Sequence, residues 1–109
     1  MTDFELIAMA AKAAGMRIEW IGDVAFDCTK LKAGKPAFKG DMWNPLTDDG
    51  AALRLAASLD IDIEWKTLLD GKSVAAFQRS PEGGYNTFTE DPKDYRRAIV
   101  RAAAEIGRK

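Results

Sequence analysis

Met16-Arg17-Ile18-Glu19-Trp20 and Ile61-Asp62-Ile63-Glu64-Trp65 share one pattern, apolar residues at every second position with charged residues between them, and three of the five positions are identical. Strict two-residue alternation marks a strand with one face buried and the other in water. Each copy follows a stretch with helical spacing. Ahead of the first, Thr2 and Glu5 have the spacing of a capping box, Phe4, Ile7, Ala8 and Ala11 lie on one stripe, and Gly15 sits where a left-handed C-cap is wanted. A helix over about residues 3–14 follows. Ahead of the second, Asn44-Pro45-Leu46-Thr47-Asp48-Asp49 announces a helix start: Thr47 is able to cap, and two carboxylates suit the positive helix end. Ala52, Leu55, Ala56 and Leu59 form its buried stripe. The echo fits either a duplicated helix-hairpin unit or the chance recurrence of a short strand pattern.

Working outward, Gly22-Asp23 marks a turn into a short strand at Val24–Cys28, and Thr29–Asp41 reads as an exposed loop. Beyond the second copy come a turn at Asp70-Gly71, a strand over Ser73–Arg79, a tip at Ser80–Gly84 and a return strand over Tyr85–Thr89. Asp91-Pro92 opens the last helix with a cap and a first-position proline. Tyr95, Ile99, Ala102, Ala103 and Ile106 share a face of it, and Gly107 is expected to end it. The order αββαββα predicts a single α+β domain over residues 1–109. Its expected architecture is a three-layer α/β/α sandwich around a mainly antiparallel sheet of about four to five strands.

The 109 residues include 16 Lys plus Arg, 17 Asp plus Glu, one Cys and no His, for a formal net charge of −1. Without histidine, Ser-His-Asp triads, Cys-His dyads, HExxH zinc sites and two-His iron sites are excluded. Cys28 has no second cysteine to pair with and no base to activate it, so an inert buried thiol is expected. The amino end is acidic, and no apolar run approaches the roughly 18 residues of a membrane span. A cytoplasmic protein with no membrane association is expected, without cofactor and without metal.

Charge is uneven: residues 1–40, 41–70 and 71–109 carry +1, −5 and +3. That asymmetry fits a solvated surface or a self-complementary homo-oligomer. The basic positions Lys30, Lys32, Lys35 and Lys39, with Arg96, Arg97, Arg101, Arg108 and Lys109, are the candidates for a nucleic-acid surface, though few aromatic residues interleave them. Gly34-Lys35 and Gly71-Lys72-Ser73 contain the Gly-Lys pair of phosphate loops, but Thr29 and Lys66 stand where that motif needs its first glycine. Asp41, Asp48, Asp49, Asp60, Asp62 and Glu64 concentrate carboxylates without the spacing of a calcium loop. Trp20 and Trp65 sit on apolar strand phases as core or interface anchors. Trp43, directly before Asn44-Pro45, either covers the helix start or offers a partner an aromatic anchor.

The block Trp43–Leu55, with Asn44-Pro45-Leu46-Thr47-Asp48-Asp49 inside it, and the block Arg96–Gly107 resemble small uncharacterised bacteriophage and prophage proteins of the phage α-β-α sandwich family. The resemblance implies the layered fold and a phage origin, and carries no activity. Relatives are expected to have an acid where Ala51 stands, which weakens any three-carboxylate site. The expected function is a phage-encoded accessory protein, not an enzyme, acting through protein contacts at Trp43, Asn44, Asp48 and Asp49. The alternative is a nucleic-acid-associated module using Lys30, Lys32, Lys35, Lys39, Arg97 and Arg101.

Overall fold

The computed structural model describes residues 2–69, 71–79 and 85–108, so Asp70, the expected tip at 80–84 and Lys109 lie outside it. Helix α1 (Asp3–Ala13) starts as its sequence predicts. Thr2 Oγ1 accepts from the Glu5 N–H at 3.2 Å while the Glu5 carboxylate reaches back to the Thr2 N–H. It ends at Gly15, φ +69°, where the Gly15 and Met16 N–H groups donate to the carbonyls of Lys12 and Ala11. That double closure is the Schellman arrangement, and it throws Met16 directly into the first strand.

Strands β1 (Ile18–Ile21), β2 (Val24–Asp27) and β3 (Asp41–Met42) form an antiparallel sheet in the order β1-β2-β3. A two-residue turn at Gly22-Asp23 closes the first pair, with Gly22 at φ +62°. Helix α2 (Asp49–Ser58) follows, then β4 (Asp62–Leu68), β5 (Gly71–Arg79) and β6 (Tyr85–Glu90), a second antiparallel sheet in the order β4-β5-β6. A 3₁₀ turn at Pro92–Asp94, capped by Asp91, leads into α3 (Tyr95–Arg108).

The α+β class, the antiparallel pairing and the three helices agree with the sequence. The strands, however, number six among the described residues and divide into two sheets of three, where one sheet of four to five was expected. The return strand expected over Tyr85–Thr89 is present as β6, and the first hairpin gains the short β3, so the order is helix, three strands, helix, three strands, helix. The echo therefore extends beyond the strand pattern. α2 also ends in a Schellman closure, with Asp60 at φ +53° in the place of Gly15 and the Ile61 N–H donating to Ala56.

α3 is the central helix, packed along α1, against α2 and across β5 and β6. Burial accordingly runs around more of it than one stripe: Ala98, Ile99, Val100, Ala102, Ala103 and Ala104 are all buried. Gly107 does not end the helix as expected. It lies inside α3, where a Cβ would run into the Met9 carbonyl of α1, so the glycine serves close helix approach rather than termination. Ala10 and Ala11 on the α1 side are also small and buried, which lets the two backbones come together.

On the second sheet, Ile63, Val74, Ala76 and Phe88 point to the helices, while Asp62, Glu64, Lys66, Thr87 and Thr89 alternate outward and are exposed. Trp65 is on the helix-facing side but 61% exposed, and it meets Tyr95 of α3's first turn with ring centroids 5.9 Å apart. Trp20 is half-buried and packs edge-on against Phe4 of α1 at 5.2 Å.

Candidate functional site

The segment singled out by sequence, Trp43 to Asp49, is engaged in holding the fold. Trp43 is only 9% exposed and belongs to the core, so it covers the helix start. The Asn44 side-chain oxygen accepts from the Leu46 N–H at 3.0 Å, and its carbonyl accepts from the Thr47 and Asp48 N–H groups. This is an Asx turn that carries the chain around buried Pro45. The cap of α2 is Asp48, not Thr47: Asp48 Oδ1 accepts from the Gly50 and Ala51 N–H groups at 2.9 and 3.4 Å. The Thr47 hydroxyl instead donates to the Asn44 carbonyl.

Asp49 accepts a hydrogen bond from the Tyr95 hydroxyl and a 2.5 Å ion pair from Arg96, whose Nε also donates to the Leu46 carbonyl at 3.1 Å. The Tyr95 hydroxyl, then the Arg96 guanidinium, hold the Asp49 carboxyl below its usual range. The same bond, followed by burial, pushes the Tyr95 phenol up. This constellation ties the start of α2 to the start of α3. All of its groups are already partnered with one another.

The basic helix is likewise occupied. Arg97 pairs with Asp3 of α1 at 2.7 Å, and Arg108 pairs with Glu105. Arg101 pairs with Glu90 of β6 at 2.5 Å and lies 5.0 Å over the Phe88 ring. Pairs this exposed contribute little to stability, but they neutralise the cations that the nucleic-acid alternative would require.

The lysine loop differs. Lys30, Lys32, Lys35 and Lys39 are all exposed, and residues 29–40 contain no acid. No carboxylate of the described residues pairs with any of the four. Arg17 pins the base of this loop: its guanidinium donates to the carbonyls of Cys28 at 2.5 Å and Leu31 at 3.2 Å, and its N–H donates to Thr29 Oγ1. The loop then folds over the first sheet through a 3₁₀ turn at Ala37–Lys39 and buries Cys28 completely. Burial, then the neighbouring Glu19 carboxylate, pushes the Cys28 thiol up, which fits the inert thiol expected. Gly40 closes the loop so tightly that a Cβ there would lie 2.5 Å from the Asp27 carbonyl.

Beside this loop the outer face of the sheet is exposed among the described residues. Register places Ile21 opposite Val24 and sets Phe26 between Glu19 and Met42, and all five point away from the helices, so the outer face is apolar apart from the exposed Glu19 carboxylate on β1. Ile21, Val24 and Met42 are 45%, 37% and 74% exposed, and Phe38 on the loop is 61% exposed. Single exposed apolar residues are ordinary, whereas a contiguous group of them marks an interaction surface. The sequence hid it because Phe38 falls in the stretch Thr29–Asp41 that reads as exposed loop, and Met42 directly follows it.

On the opposite side of the same sheet a cleft of about 450 Å³ runs between β3 and α2, with Met16, Trp43 and Leu55 on its apolar wall and Asp27, Asp41 and Arg54 on its polar wall. Asp27 Oδ1 is taken up by the N–H and hydroxyl of Thr29. Among the described residues no three ligating side chains stand together as a metal site would need, and no helix is long and apolar enough to cross a membrane.

No family model matches the chain. Over 79 residues, 71% of its length, it is 32% identical to a pyruvate carboxylase from Aspergillus niger, of which the match spans 6%. A match to so small a part of that enzyme specifies no activity for this chain. Among solved structures, a phage protein from Bacillus cereus superposes with a TM-score of 0.57 at 16% identity, covering 100% of this chain and 90% of that one. The likeness shows a shared fold over the whole length.

Proposed function

We propose that the chain is a phage- or prophage-encoded accessory protein of the α-β-α sandwich kind, cytoplasmic in a bacterial host, which binds another protein and catalyses nothing. The observation that carries this is the exposed apolar face of β1-β2-β3, with exposed Phe38 on the turn that lies against the same sheet. Burying such a face supplies association free energy in proportion to its area. The working surface is thus moved from Trp43, Asn44, Asp48 and Asp49 to Ile21, Val24, Phe38 and Met42. The phage origin is supported by the resemblance of the Trp43–Leu55 and Arg96–Gly107 blocks and by the fold shared with the Bacillus cereus phage protein.

The test is affinity capture from native cells with the wild type and with Val24→Asp/Met42→Asp, the latter checked for folding by circular dichroism. The wild type is expected to retain a protein that the folded variant loses. Equal retention by both, or retention of nucleic acid that disappears with rising salt, would contradict it.

A further inference from the structure

We infer that the uncovered face of the first sheet and its lysine loop together receive an acidic segment of a partner protein that also carries apolar side chains, a specification of the partner that rests on the protein-contact function proposed above. The distribution of unpaired charge leads there. The guanidinium groups of Arg96, Arg97, Arg101 and Arg108 each hold a carboxylate, whereas Lys30, Lys32, Lys35 and Lys39 hold none among the described residues. Lys12, Arg54, Lys66, Lys72 and Lys93 hold no carboxylate among the described residues either, but they stand singly along the chain, whereas the loop that folds onto the apolar face gathers four unpaired lysines within ten residues and has no acid between them. Arg17 and the close approach of Gly40 fix both ends of that loop, so part of the ordering cost of binding is met before the partner arrives.

Three features choose a protein segment over the other occupants. The face exposes Ile21, Val24 and Met42 beside Glu19, with Phe26 half-buried between the strands, and the exposed ring of the loop, Phe38, already carries Lys39 5.6 Å from its centroid, which makes a poor platform for stacked bases. A second copy docking face to face would bring two four-lysine loops to the same interface, where like charges oppose binding. A purely apolar partner would leave the four ammonium groups beside it without counter-charges.

The experiment is selection of a random dodecapeptide display library on the immobilised full chain, on Met42→Asp, and on the variant with Lys30, Lys32, Lys35 and Lys39 all changed to Gln. Recovered peptides are expected to combine Asp or Glu with Leu, Ile or Phe. The best of them, made synthetically, should bind the four-Gln variant about tenfold more weakly than wild type and lose about tenfold between 50 and 500 mM salt. Binding to Met42→Asp should be lost. Neutral or basic peptides that still require Met42 would overturn the acidic partner and leave the protein-contact function standing. Peptides indifferent to Met42 would overturn both. Tighter retention of a (dT)20 oligonucleotide, or a Met42-dependent dimer in sedimentation velocity, would replace the acidic segment with nucleic acid or a second copy.

Discussion

Asp49 shows how a residue can be well placed for chemistry and still serve structure. Sequence offered it as one of two first-turn carboxylates; the fold gives it Tyr95 and Arg96 from a helix 46 and 47 positions away, a pairing that no local pattern encodes. Because its carboxyl is held below the usual range, the stability it contributes is complete above about pH 4 and is lost as pH falls through the lowered folded value. Asp49→Asn should therefore lower the thermal midpoint at pH 7, and the two midpoints should converge as pH falls below the ordinary carboxylate range, both read by circular dichroism. Gly107 teaches the same lesson from the opposite side. A glycine near a helix end reads as a terminator, and only the neighbouring helix reveals that its missing side chain makes room for Met9. Gly107→Ala forces two backbones apart and should cost about 2 kcal/mol or more in urea unfolding.

At the scale of elements, what was legible was what depends on local sequence: three helices, the alternating strands β1 and β4, the capping box at Thr2 and the Asp91-Pro92 start. The two-residue strand β3 was not legible, because so short a pair has no period and exists through its partner Phe26-Asp27. The α2 cap moved by one residue, since the Asn44 turn claims Thr47. Asp48→Ala should cost about 1 kcal/mol while Thr47→Ala should be nearly neutral in the same unfolding series. The second Schellman closure, invisible because an aspartate occupies the glycine position, makes a prediction of opposite sign. Asp60→Gly removes a left-handed non-glycine residue and should stabilise the chain by about 1 kcal/mol.

Over the whole molecule, the repeated order of helix and three strands gives two sheets with different fates. The second packs its apolar side on α3 and turns a charged and threonine-bearing side outward. The first has a helix-facing side that carries Trp20 and Ala25, and an outer side on which aliphatic residues meet an unpaired lysine loop. The charge count of the 30s segment was visible in the sequence, and so was its contrast with a neutral total. What makes it a candidate site, the apolar sheet beneath it and the pairing of the four arginines of α3, arises only once distant segments meet. Nor did sequence separate Trp43 the anchor from Trp43 the core residue, because that depends on what covers it. The most direct measurement is to place a photo-crosslinking amino acid at Met42, with Asn44 as the control position, and irradiate native cells making the protein. A protein adduct from Met42 and none from Asn44 is predicted; adducts from Asn44 alone, or from neither position, would contradict the proposed surface.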